Sequence, residues 1–393
     1  MIVQQSSQNQ NVTAPPNIGL VLAGRRIAIF IQSLTIGGSE RMTLNLIEGL
    51  VQNGIQVDLL LADRSGGFLS EVPSGVNVID LQGKRVLFSL FRLVRYLRTQ
   101  RPVLLYSVQV HASLIAKWAV SLARVHIPFV ISPRSVLSDG LVASPTIRNR
   151  LIIKLARLFF RSADAAICVS QGVAEDLIKV TGMPRDKTHV VYNPVVSLGL
   201  EQKAGESISH PWFGQDVPPV ILAVGRLAVA KDYPTLLRAF SLVYRKQPVH
   251  LLILGDGQER AHLELLVKEL GVSNQVQMPG FMKNPYPYMA HARLLVLSSR
   301  WEGFANVLVE ALACGTPVVS TDCRSGPREI LDNGRFGQLV PVGDVESLAM
   351  AILKTLQTIP DCALLKQRAQ DFTLDESVRK YIRIFESCLL SNE

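Results

Sequence analysis

The stretch from Leu297 to Asp322, LSSRWEGFANVLVEALACGTPVVSTD, constrains the fold more than any other part of the chain. It reads as the end of a buried strand, a loop, a helix and a second buried strand. That order within so short a span implies a parallel crossover unit covered on both faces. Glu302 lies in the loop and Glu310 inside the helix, about one turn from its start near Asn306. Alone, two glutamates at this spacing describe a solvated helix face. Here Leu312–Val319, LACGTPVV, is apolar and broken by Gly and Pro, so the helix is flanked by core. Gly303 permits close approach of a ligand to the backbone. The free amides at the helix start make an anion site beside the loop carboxylate. The combination suits a phosphorylated, hydroxyl-rich ligand.

The same strand–turn–helix grammar recurs along the chain. Arg26–Gln32 reads as a buried strand, followed by IGGSE with Gly37 and Gly38 in the turn and a helix through Leu50. The pattern is not GxGxxG and does not indicate a dinucleotide site. Val57–Ala62, Val76–Leu81, Val103–Ser107, Pro128–Ser132, Ala165–Ser170 and His189–Tyr192 read as further strands. His111 and Arg134 follow two of them, where ligands bind in doubly wound folds. Leu198–Pro219 breaks the pattern with Gly, Pro and polar residues and reads as a linker. Val220–Val224 restarts it, with Gly225 and Arg226 at its end and Lys231 before a helix. A planar guanidinium and a point-charge ammonium together suit a diphosphate. Val249–Leu254, Val276–Met278, His291–Leu297, Val318–Asp322 and Gly337–Val340 complete a second set of strands, and Leu374–Leu390 is a final helix.

The expected architecture is therefore α/β, with two doubly wound Rossmann-like domains facing across a cleft. The divisions are a disordered tail at 1–23, a first Rossmann-like domain at 24–197, a linker at 198–219, a second Rossmann-like domain at 220–373, and a helix at 374–393 crossing back to the first domain. A chain of 393 residues is long enough for two cores. The polar N-terminus has neither the basic start nor the apolar centre of a signal peptide, and no apolar run reaches the ~20 residues that span a bilayer. The five cysteines form no CxxC or Cys/His cluster and read as reduced thiols.

Charge is placed unevenly. Residues 1–200 hold 21 Lys/Arg against 11 Asp/Glu, a balance of +10, and the remainder holds 20 against 21, a balance of −1. Lys84–Arg101 and Arg148–Arg161 alternate cations with Leu, Ile, Val and Phe at helical spacing. Each is either an ordinary surface helix or a helix lying on an anionic bilayer, and two in one half favour the bilayer. Nucleic acid is the poorer partner, because the cations alternate with aliphatic residues rather than exposed aromatics.

IGGSE at 36–40, VGRLAVAKD at 224–232, LGDGQE at 254–259, PGF at 279–281 and EGFANVLVE at 302–310 followed by ACGTPVVSTD resemble the retaining GT-B glycosyltransferases of family 4, group 1. Within them, STDCRSGPREIL resembles enzymes that extend lipid-linked oligosaccharides from UDP-sugars. The resemblance covers most of the second half and only scattered sites of the first. It implies transfer of a hexosyl or N-acetylhexosaminyl group to a lipid-linked or other glycan acceptor. It also implies a front-face substitution with retained configuration, in which the leaving phosphate helps deprotonate the acceptor. By the same resemblance, Arg226 and Lys231 neutralise the diphosphate, joined by amides at Asn306 and Val307. Glu310 grips the ribose, Phe281–Met282 hold the base, and Glu302 with Phe304–Ala305 faces the sugar. His111 reaches the sugar from the other domain, Gly37 and Gly38 close on the phosphates, and Arg134 contacts the acceptor. No DxD pair is placed to hold a metal, so none is expected. The expected location is the inner, cytoplasmic face of the cell membrane. A GT-B epimerase, a phosphorylase and a non-catalytic sugar-nucleotide-binding protein are the alternatives.

Overall fold

The computed structural model describes residues 21–35, 37–139, 146–197 and 199–391. The expected tail falls outside them up to residue 20, as do Ile36 of the IGGSE turn, Leu198 at the linker start, and residues 392–393.

Two parallel sheets organise the molecule. The first holds β1 (Arg26–Ile31), β2 (Gln56–Leu61), β3 (Asn77–Asp80), β4 (Leu104–Val108), β5 (Phe129–Ser132), β6 (Ala165–Cys168) and β7 (Thr188–Val190), in the order 3-2-1-4-5-6-7. The second holds β8 (Val220–Val224), β9 (His250–Leu254), β10 (Val276–Gly280), β11 (Leu294–Leu297), β12 (Val318–Thr321) and β13 (Gln338–Val340), in the order 10-9-8-11-12-13. The central strands are apolar along their length because helices cover both faces. Strand order reverses between β1 and β4 in one sheet and between β8 and β11 in the other. Ligands in such sheets bind beyond the carboxyl ends of strands at these reversals.

The final helix, Leu374–Leu390, packs in the first core, with Tyr381, Ile382 and Phe385 fully buried among β1, β2 and β4 side chains. Its approach runs beside the outgoing chain: Val195 and Val196 amides donate to the Phe372 carbonyl at 3.1 Å, and Leu374 donates back to Val196 at 3.1 Å. A second apolar cluster is continuous across both halves, joining Val169 and Val173 of the first to Phe304, Val307 and Leu308 of the second.

Two segments differ from the sequence expectation. Residues 84–101 are not one helix: a 3-10 turn at Val86–Ser89 precedes the helix Leu90–Gln100, which stops where Arg101 turns left-handed before Pro102. The linker, expected only to break the strand–helix pattern, carries a short helix at Leu200–Ala204 and a 3-10 turn. Its turn at Pro211–Phe213 stacks Trp212 on His250, with ring centres 4.1 Å apart and planes 7° off parallel.

Candidate functional site

The turns after β1, β4, β8 and β11 meet between the domains. After β8 the chain makes a 3-10 turn at Val229–Lys231 and enters the helix Tyr233–Tyr244. Lys231 Nζ points to the next turn and donates to Glu302 Oε1 at 2.5 Å; the Ser299 hydroxyl donates to the same oxygen at 2.6 Å. The Ser298 hydroxyl holds the Lys231 carbonyl at 2.7 Å, fixing the two turns to each other. Arg226 is exposed and leans across the cleft: its Nη2 lies 3.6 Å from where a Gly37 Cβ would stand. Asn306 Nδ2 is closer still to the other glycine, 3.2 Å from the position of a Gly38 Cβ. The glycine pair of the first domain is thus brought against the cations and helix start of the second.

The helix Asn306–Ala313 has no side-chain cap. Ala305 precedes it in a left-handed conformation, φ 72° and ψ 56°, which a residue with a Cβ adopts at a cost of about 1 kcal/mol or more. The first amides therefore face the cleft without an internal acceptor from a capping side chain. Glu310 stands behind them, with the Tyr286 hydroxyl at 3.5 Å. Burial pushes its carboxyl up to about 7, against the opposing charge of Arg41, the Tyr286 hydroxyl and the charge of Lys231. Such a group changes ionisation near neutrality in response to a ligand.

Phe304, Ala305 and Val307 are buried; Met282 is half-buried and Phe281 exposed at the end of β10. His111 is exposed in the first turn of the helix Val110–Ala123, beyond β4. Desolvation and then the Arg148 charge hold its imidazole below the ordinary value. It follows Gln109, whose φ of 75° is unusual for a side-chain-bearing residue. Arg134 is placed differently from its expected role as an acceptor contact. Its Nη1 donates to Asn193 Oδ1 at 2.8 Å, its Nη2 to the Tyr106 hydroxyl at 3.1 Å, and its Nε is buried without a partner. A guanidinium tied in this way to Asn193 and Tyr106 of its own domain braces the site.

The sequence reading passed over several residues here. Arg41 lies over the Phe68 ring at 4.5 Å, donates to Glu71 at 3.2 Å, and acts on Glu310 through its charge. Glu40 is buried, accepts from Gln109 Nε2 at 3.1 Å, and has its carboxyl raised by that burial. Both follow the glycine turn directly, which was the available signal. Asn193 and Ser170 carried only the signal of standing at strand ends, and their partners in the second domain could not be read from it.

As a whole, the site offers two cations, open helix amides, and two carboxylates of unlike environment. It can hold a diphosphate, accept hydrogen bonds from hydroxyls, and spread charge that builds on a leaving phosphate.

Comparison with known proteins places these features. The family model described as Glycosyltransferase Family 4 matches residues 36–196, and the model described as Glycosyl transferases group 1 matches residues 209–372. The chain is 37% identical over 209 residues to the N-acetylgalactosamine-N,N'-diacetylbacillosaminyl-diphospho-undecaprenol 4-alpha-N-acetylgalactosaminyltransferase of Campylobacter jejuni, covering 53% of this chain and 55% of that one. With this relative and an uncharacterised glycosyltransferase of Methanocaldococcus jannaschii, of which 46% is covered, the chain spans about half the length of the relatives it matches. It is 29% identical over 334 residues to the lipopolysaccharide core biosynthesis glycosyltransferase LpsE of Rhizobium meliloti, covering 80% and 84% of the two chains. Among solved structures, Anabaena Alr3699/HepE in complex with UDP and glucose aligns with a TM-score of 0.74 at 23% identity, over 92% of this chain and 99% of that one. The apo lipopolysaccharide outer core galactosyltransferase WaaB aligns at 0.70 and 21%, over 94% and 100%. At these identities the likeness establishes the fold, the two-domain GT-B arrangement.

Proposed function

The chain belongs to the group 1 glycosyltransferases of family 4, and on that premise we propose that it transfers a sugar from a nucleoside-diphosphate sugar, UDP-sugar foremost, to a glycan acceptor carried on a lipid. The observation that carries this reading is the convergence of Lys231, Arg226 and the uncapped Asn306–Ala313 helix at the strand-order reversals of both sheets. A diphosphate laid there meets a point charge, a fork and free amides. Gly37 and Gly38 let the first domain approach it.

In this account Glu310 accepts from the ribose hydroxyls, and the exposed Phe281 with Met282 offers backbone and ring to the base. Glu302, already oriented by Lys231 and Ser299, and the Phe304–Ala305 turn face the sugar. His111 reaches it from the first domain as a neutral imidazole. As the sugar–oxygen bond breaks, negative charge grows on the β-phosphate, where Arg226, Lys231 and the Asn306 and Val307 amides stabilise it. That oxygen then takes the acceptor hydroxyl's proton on the face it has just left, and the anomeric configuration is retained. The cations do this without a metal. Names of relatives support the acceptor class, since one extends a diphospho-undecaprenol-linked glycan and another acts in lipopolysaccharide core biosynthesis.

The same reading includes a lipid surface as partner. Leu87, Phe88 and Phe91 are 53%, 66% and 79% exposed, and Ile147, Leu151 and Leu158 are 86%, 54% and 68% exposed. Arg85, Arg92, Arg95, Arg148, Lys154 and Arg157 are interspersed among them. Both segments flank the Val110–Ala123 helix, whose first turn carries His111. Apolar side chains ringed by cations suit an anionic bilayer, and here they border the acceptor side of the cleft. No helix among the described residues is by itself long and apolar enough to cross a membrane.

The test is release of UDP from UDP-sugars in the presence of extracted lipid-linked acceptor and EDTA. Acceptor-dependent release, lost in Lys231→Ala and Arg226→Ala, is the expected result. Release without acceptor, or epimerised sugar nucleotide, would contradict it.

A further inference from the structure

The turn Glu302–Asn306 belongs to the second domain by sequence, yet first-domain residues contact it at Gly303, Phe304 and Asn306. The Gly303 carbonyl receives two hydroxyls, Ser170 from the first domain and Ser325 from the second, each at 2.7 Å. These hydroxyls lie 2.6 Å apart, so with one hydrogen each they share the three short contacts. Ser170 is fully buried. A Cβ on Gly303 would stand 2.0 Å from the Arg134 carbonyl, so only glycine lets the two backbones touch. The next residue, Phe304, stacks on Tyr192 with ring centres 5.3 Å apart.

The far end of the turn is held by a relay. Arg134 can only donate, so the Asn193 atom facing it is Oδ1, and Asn193 Nδ2 is left to donate to Asn306 Oδ1 at 2.8 Å. This orients the Asn306 amide so that its Nδ2 turns toward Gly38. Between the two anchors Ala305 remains at φ 72°, a conformation its own chemistry disfavours. A turn with unfavourable local preference and external partners is ordered by those partners.

We propose that Ser170 and Asn193 are positioning residues: the first domain shapes the Glu302–Asn306 turn, and the donor site takes its working form only with the domains docked. The donor role of the turn rests on the function proposed above; the dependence of its order on Ser170 and Asn193 does not. Neither residue touches the reacting atoms: Ser170 acts through Gly303 and Asn193 through Asn306.

The experiment uses the full-length chain with Ser170→Ala, Ser325→Ala, their double variant, and Asn193→Asp. The last keeps the oxygen facing Arg134 and removes the donor facing Asn306. Amide hydrogen exchange over residues 302–309, without ligand, is read beside the donor-concentration dependence of transfer. The proposal expects exchange there to speed at least about tenfold in Ser170→Ala and Asn193→Asp, as loss of one buried hydrogen bond would give, with strands β8 and β11 unchanged. It also expects KM for the sugar nucleotide to rise with kcat falling, and the serine double variant to be no worse than the stronger single variant. Unchanged exchange over 302–309 in both variants overturns the proposal. Faster exchange in a chain whose parent form binds no nucleotide keeps the positioning and removes the donor-site reading.

Discussion

Glu310 is the residue at which burial and function meet. Its carboxyl is raised from 4.5 to about 7, so the folded chain binds that proton more tightly than the unfolded one does. The stability this contributes is present below pH 4.5 and is lost as pH rises through about 7. In the proposed function ribose hydroxyls would donate to the ionised form, so UDP affinity is expected to rise with pH up to about 7 and then level. Glu310→Gln removes that part of the pH dependence while leaving the part that belongs to the phosphates. Calorimetry in buffers of different ionisation enthalpy, which counts the protons released on binding, checks this. At Lys231 the expectation is a kinetic one. Lys231→Ala frees Glu302 and removes a charge from the leaving phosphate, so kcat is expected to fall about 10²–10³-fold in steady-state assays. Thermal stability is expected to fall as well, because the pair is mostly buried and the substitution leaves Glu302 without its countercharge.

Among the elements, those with strong patterns were legible and those assembled in space were not. Apolar runs closed by Gly or polar residues located the strands, since a central parallel strand needs apolar side chains on both faces. Glu302, Lys231, Arg226 and Glu310 were visible because each sits at the end of such a run or one turn into the following helix. Arg134 looked like the others by this criterion, and its contacts to Asn193 and Tyr106 could not be read, since sequence position gives the strand end but not the side-chain direction. Asn193 and Ser170 were invisible as site residues because their partner is 113 and 133 residues away respectively. The Lys84–Arg101 segment shows the limit of periodicity. Its pattern extends through Val86–Ser89, but those residues make a 3-10 turn that leaves Leu87 and Phe88 exposed. That exposure makes an element-level prediction. Phe88→Ser with Phe91→Ser and Leu151→Ser is expected to abolish sedimentation with anionic vesicles and leave UDP affinity unchanged. Retained vesicle binding would assign these side chains another role.

In the whole molecule the two domains are tied by the returning final helix and, elsewhere, by neighbouring contacts around Ser170 and Gln171. The final helix returns to the first core, the Glu302–Asn306 turn is anchored on the first domain, and Glu329 accepts the Gln171 amide at 2.8 Å at the start of the Gln171–Thr181 helix. Phe385 is fully buried beside Tyr106, with ring centres 5.4 Å apart. Phe385→Ala is expected to cost about 3–5 kcal/mol of stability in denaturant titrations, loosening the return helix. The proposed function requires the cleft between these domains to bind a nucleoside diphosphate. The measurement that tests it most directly is calorimetric titration of the full chain with UDP, GDP and ADP in EDTA. The account predicts saturable binding with UDP preferred, abolished by Glu310→Ala and weakened by Arg226→Ala. Absence of binding by all three nucleotides, or binding untouched by both substitutions, would contradict it.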